Sequence, residues 1–81
     1  MRVLVADDDL TYCHMLEALM GKWGYETVVA RDGGKAWQIL QDPEAPQLAI
    51  LDWMMPGKDG VDVCRQVRQA NPSKPTYIIL L

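Results

Sequence analysis

What this chain lacks narrows it quickly. Its longest unbroken apolar run, Tyr77–Leu81, falls far short of the ~20 residues a membrane-spanning helix needs. No two Lys or Arg residues are adjacent, so no basic stripe exists to track a phosphate backbone. Eight basic residues against eleven acidic ones, a formal net charge of −3, also speak against nucleic acid as a direct partner. Only two cysteines occur, Cys13 and Cys64, with no CxxC and no Cys/His ligand spacing. They read as buried, reduced thiols, the usage expected in the cytoplasm. The first apolar run, Val3–Ala6, is cut off by Asp7–Asp9, a pattern no secretory signal tolerates.

What is present describes one domain. The 81 residues are 49% hydrophobic and 23% charged, a balance that supports a packed core. A chain of this size buries only about 60% of its unfolded surface, so its stability is expected to be modest. Val3–Ala6 reads as a strand buried on both faces, and Leu10–Trp23 turns to a helical period. Cys13, Leu16, Met20 and Trp23 share the stripe of that helix, with Leu19 beside it. Asp9 or Thr11 can cap its start, and Gly24 suits its C-terminal stop. Glu26–Ala30 is a second strand, Arg31–Gly34 a turn, and Lys35–Gln41 a short helix with Ala36, Trp37 and Leu40 inward. Pro43 and Pro46 break that helix. Leu48–Leu51 is a third buried strand, Val61–Gln69 a third helix, and Thr76–Leu81 a last strand after Asn71-Pro72 and Pro75. The order β-α-β-α-β-α-β predicts an α/β, doubly wound parallel sheet with helices on both faces.

Ligands of such sheets bind beyond the carboxyl ends of the strands, where strand order reverses. Two strands here end in acid: the first delivers Asp7, Asp8 and Asp9, and the third delivers Asp52. With the strands in order 2-1-3-4 these carboxylates converge. Crowded carboxylates repel, and a hard divalent cation with oxygen ligands relieves that conflict. Mg²⁺ suits the set because it accepts a few carboxylates and keeps several waters. The plainer alternative for Asp7–Asp9 alone is a solvated loop with a helix cap. The second acid at an equivalent strand end favours the metal.

Asp7-Asp8-Asp9-Leu10-Thr11 also matches the D-x-D-x-T motif of haloacid-dehalogenase-type phosphatases. That family needs further catalytic groups spread over a much larger chain. A calcium loop is excluded because no Glu lies at the twelfth position from any of these Asp residues.

Leu4-Val5-Ala6-Asp7-Asp8-Asp9, followed by Leu51-Asp52-Trp53-Met54-Met55-Pro56-Gly57-Lys58-Asp59-Gly60, resembles the receiver domain of two-component response regulators. Asp32-Gly33 with Ala36 fits the same family, and the likeness runs the length of the chain. The resemblance implies that Asp52 is the phosphoacceptor, taking a phosphoryl group from a histidine kinase or phosphotransfer protein as an acyl phosphate. It implies Asp8 as a direct Mg²⁺ ligand and Asp7 as one acting through water or a hydrogen bond. It also implies that Asp52 and the Met54 backbone carbonyl complete the protein ligands of the metal. Met55-Pro56 and Gly60 shape the loop, Lys58 has a surface role, and Met54 flanks the phosphorylation site. His14 faces outward and has nothing to activate it, Trp37 and Trp23 follow core stripes, and Trp53 adjoins Asp52.

Receivers of this family have five strands and five helices. The present sequence corresponds to the N-terminal two-thirds, residues 1–81, an incomplete receiver fold ending where a Ser or Thr is expected after the fourth strand. Right-handed crossovers place the first helix on one face and the other two on the opposite face. Cys13 and Cys64 are then too far apart for a disulfide. The face beside the first helix is expected to leave strands one, three and four open to water, and Thr76–Leu81 to form an unpaired, uncharged edge. Three functions follow: a phosphoacceptor signalling domain, a non-switching interaction fragment that pairs as a homo-oligomer through Thr76–Leu81, and, remotely, an Mg²⁺-dependent phosphatase. Only the last is an enzyme in the ordinary sense.

Overall fold

Short runs of Val, Leu, Ile and Ala, apolar on both faces, build the centre of the molecule. The computed structural model describes residues 1–70 and 76–81. Strands β1 (Arg2–Ala6), β2 (Glu26–Ala30), β3 (Leu48–Leu51) and β4 (Tyr77–Leu80) form one parallel sheet in the order β2-β1-β3-β4. Parallel neighbours cannot be joined by a hairpin, so helices make the crossovers. These are α1 (Leu10–Lys22), α2 (Gly33–Gln41) and α3 (Gly60–Ala70). The expected fold class and strand order are what the structure has. Asn71-Pro72 and Pro75, read above as the lead into the last strand, lie outside the described residues.

Side chains alternate across each strand, so the two faces carry separate cores. Leu4 and Ala6 of β1, Ala49 and Leu51 of β3, Ala36 and Leu40 of α2, and Val63 and Val67 of α3 form the larger core. Val3, Met20 and Ile50 form the smaller one under α1, with Leu16, Tyr25 and Leu48 against it. Cys13 and Cys64 are both free, the first buried and the second half-buried.

Four expectations need correction. Trp23 is 64% exposed instead of lying on the buried stripe, and Leu19 is exposed too. The chain reverses at Gly24 (φ +82°), the Tyr25 amide donates to the Met20 carbonyl, and the Tyr25 ring packs where the stripe would have continued. Second, α2 starts at Gly33, two residues into the expected turn, because Asp32 caps it by accepting from the Lys35 amide. Third, α3 reaches back to Gly60, with Asp59 Oδ1 accepting from the Asp62 amide. Fourth, strands one and three are not open: Val3 and Val5 are fully buried and Ile50 nearly so. Among the described residues of the four strands and their immediate continuation, the exposed large hydrophobics are Tyr77, Ile79 and Leu81, on the β4 side. α1 spreads far enough, through Leu16, to seal the centre of the sheet.

Candidate carboxylate site at the sheet switch point

β1 and β3 run in register, with Ala6 opposite Leu51. The ladder continues one step further, since the Asp52 amide donates to the Ala6 carbonyl at 2.8 Å. On the other side the Asp7 amide donates to the Ala30 carbonyl at 3.1 Å. Asp7 and Asp52 are therefore neighbours at the carboxyl ends of adjacent strands, two residues beyond Val5 and Ile50. Alternation sends both side chains to the same side of the sheet top. Asp8 joins them, and one carboxylate oxygen from each of Asp7, Asp8 and Asp52 lies within 4.8 Å of the others.

The three consecutive aspartates divide their labour. The Asp7 carboxylate accepts from the Asp9 amide at 2.9 Å, which pins its rotamer. Asp9 turns away and caps α1, accepting from the Thr11 amide at 3.0 Å and the Tyr12 amide at 3.3 Å. Of the two candidate caps, Asp9 is the one used. That leaves Asp8 free of backbone duties and projecting into the opening.

Burial pushes the Asp7 carboxyl above its ordinary range; the Asp9 amide opposes this, and the nearby Asp52, Asp8 and Asp9 charges add to it. The Cys13 thiol, donating to the Asp7 carbonyl at 3.3 Å, is also pushed up, by burial and then by the Asp7 charge.

An open cleft of about 410 Å³ sits over these groups, lined by Asp7, Asp8, Asp9, Tyr12, Asp52 and Leu81. No basic residue is among the cleft's described walls. A buried carboxyl held among three other carboxylates, each with oxygen donors only, fits a small hard dication and poorly fits a soft metal. If Mg²⁺ binds, Asp7, Asp8 and Asp52 are the side chains that hold it.

The loop after Asp52 is held at several points. Met55 is buried in the larger core, while Trp53 and Met54 face solvent. The Gly60 amide donates to the Trp53 carbonyl at 2.9 Å, and the Trp53 amide to the Leu81 carbonyl at 3.0 Å. Gly57 turns the chain with φ +83°, a value that favours glycine. His14 is exposed on α1 and outside the cleft. Sequence reasoning overlooked Tyr12 and Leu81 as cleft walls. Tyr12 could have been found, since it sits one helical turn after the Asp9 cap and on the Leu16 side of α1.

An acidic cluster on a doubly wound parallel sheet of this order defines a class, and comparison with known proteins gives the family. The model of the response regulator receiver domain matches residues 3–81, and the chain belongs to that family. A putative response regulator from Chloroflexus aurantiacus is 35% identical with TM-score 0.88, the match covering 98% of this chain and 64% of that one. The receiver domain of the Francisella response regulator 1452 is 32% identical with TM-score 0.86, covering 98% and 63%. The response regulator TrrA of Thermotoga maritima, in complex with Mg²⁺-BeF, is 28% identical with TM-score 0.82, covering 98% and 64%. The chain thus spans less than two-thirds of the length of these relatives. No helix among the described residues is long and apolar enough to cross a membrane.

Proposed function

We propose that this chain is a phosphoacceptor of a two-component system, cytoplasmic, with Asp52 as the residue phosphorylated. The observation that carries the reading is the convergence of Asp7, Asp8 and Asp52 beyond the carboxyl ends of adjacent parallel strands. A carboxylate oxygen of Asp52 attacks the phosphorus of a phosphohistidine on a kinase or phosphotransfer protein. The new P–O bond forms as the P–N bond breaks, and the departing imidazole takes up a proton. Mg²⁺ held by Asp7, Asp8, Asp52 and the Met54 carbonyl would neutralise the phosphoryl oxygens during transfer. Asp7, fixed by the Asp9 amide, orients that site, and the exposed, apolar Met54 side chain, two residues after Asp52, offers nothing to orient a hydrolytic water. The chain turns over no substrate of its own; its chemistry is limited to gaining and losing one phosphoryl group.

Acetyl phosphate with Mg²⁺ tests this directly. One acid-stable, base-labile phosphate per chain, absent in Asp52→Asn, is expected. Steady phosphate release dependent on Asp7 would instead indicate a phosphatase.

A second reading, pairing of two copies through Thr76–Leu81, has its own observation. β4 is one of the two edge strands of the described sheet, and Tyr77, Ile79 and Leu81 are exposed along one side of it. An uncharged edge of this kind favours strand addition. Sedimentation at tens of micromolar should show a dimer; a stable monomer would sink the idea.

A further inference from the structure

Gly33 and Gly60 both have negative φ, so neither is glycine for backbone reasons; the positive-φ glycines are Gly24 and Gly57. What both have is close company. A Cβ on Gly60 would overlap the Asp52 carbonyl oxygen and lie 2.9 Å from Leu80 Cδ2. A Cβ on Gly33 would overlap the Lys58 carbonyl oxygen and lie 2.6 Å from both Lys58 C and Lys58 Cβ. The first turn of α2 is thus seated directly on the loop that follows Asp52. The Gly33 amide also donates to the Pro56 carbonyl at 3.3 Å, an oxygen that accepts from the Lys58 amide at 3.1 Å as well.

These contacts leave the loop little slack. At one end Gly60 holds the Trp53 carbonyl and packs on the Asp52 carbonyl. In the middle Met55 is locked into the core, and at the far side Gly33 fixes Pro56 and Lys58. Met54 lies between the fixed points at Trp53 and Met55, two residues after Asp52. A push on Lys58 loads the Met55 anchor through Pro56, whose carbonyl the Gly33 amide holds, and Met54 is the next residue from that anchor toward Asp52.

We propose that Gly33, nineteen residues from Asp52 in sequence and on a different crossover, is a positioning residue for the carboxylate site: its missing side chain lets α2 clamp the Pro56–Lys58 backbone and so sets the Met54 carbonyl. This rests on the metal reading above. Gly33→Ala forces backbone apart from backbone, with no flexible side-chain tip to yield. Gly34→Ala is the matched control, since its Cβ would meet only Asp32 Oδ1 at 3.3 Å.

Calorimetric Mg²⁺ titration reads the effect. Gly33→Ala should bind Mg²⁺ about 10–100-fold more weakly, the range seen when support behind a metal ligand is removed. Gly34→Ala should stay within about twofold, since a helical Gly→Ala change acts on stability and not on this loop. A folded Gly33→Ala protein with unchanged affinity, or an equal loss in Gly34→Ala, overturns the proposal. Should Gly33→Ala fail to fold, hydrogen exchange in the unmodified protein decides: Mg²⁺ should slow exchange of the Gly33 amide, and an unmoved Gly33 rate overturns the clamp. Failure of the unmodified protein to bind Mg²⁺ at all is distinguishable, since it overturns the metal reading, and this inference falls with it.

Discussion

Four strands carry two helices on one face and one helix on the other. A helix is about 10 Å across and strands lie about 4.8 Å apart, so one helix covers roughly two strands. On the α2–α3 face this arithmetic closes, and Leu4, Leu51 and Val63 are fully buried. On the α1 face it does not, and the shortfall falls on β4, where Tyr77 and Ile79 are 66% and 48% exposed. The strands that carry the carboxylates, β1 and β3, are central and buried on both sides, while the exposed apolar side chains of the sheet lie on β4. The site's scaffold and the open surface are thus different parts of one sheet.

Paired substitutions in adjacent strands can break that comparison. Leu51→Ala empties a fully buried position in the larger core and should cost about 2–5 kcal/mol. That is a large part of the stability of so short a domain. Ile79→Thr, on the open side of β4, should cost no more than about 0.5 kcal/mol. Denaturant melts showing similar losses for the two would mean that the β4 face is covered in solution.

A smaller effect separates the site from the scaffold that carries it. Because the Asp7 carboxyl is raised, the folded state binds its proton more tightly than the unfolded chain does. This contribution is fully present at low pH and is lost as pH rises from the unfolded Asp7 pKa through the raised folded value. Asp7→Asn should flatten that part of the pH–stability profile measured without Mg²⁺. A steepened profile would contradict the assignment. Mg²⁺ should reverse the preference by favouring the ionised carboxyl, so its affinity should fall as pH drops through the same window.

The least perturbing comparison uses the thiols. Cys13 is fully buried on the inner side of α1 and its pKa is raised, whereas Cys64 on α3 is half-buried. A thiol reagent should modify Cys64 first in the folded protein and both cysteines after unfolding. Faster reaction at Cys13 would mean that α1 lifts from the sheet more readily than its packing implies. Fewer than two thiols in unfolded, unreduced protein would mean that a disulfide had formed.

Much of the fold could be read from periodicity. Val3–Ala6 and Leu48–Leu51 are apolar without alternation, which only a two-faced burial explains, and the acid following each marks the carboxyl end. The misreadings share a cause. Trp23 fits the angular stripe of α1, but it stands at the last turn, where the chain is already reversing and Tyr25 takes its place. Gly33-Gly34 has turn composition, yet the Asp32 cap converts it into the opening of a helix. Angular position and composition are local, while burial depends on what arrives from elsewhere. For the same reason Asp52 stood out in sequence as a chemical group, whereas Gly33 stood out only as a turn residue, its contact with the Asp52 loop being made by folding.

The pairing of β1 with β3 has a kinetic side. Asp7 and Asp8 meet Asp52 only after the chain has laid down β2 and α2 and returned to the other side of β1. That is a long loop to close, and contacts of this separation form slowly. If the β1–β3 pair closes after the folding transition state, a dication held by both strands would leave the folding rate nearly untouched and slow unfolding instead. If the pair belongs to the nucleus, the same ion would speed folding. The carboxylates would then act as a clock mark, reporting when the centre of the sheet is first joined.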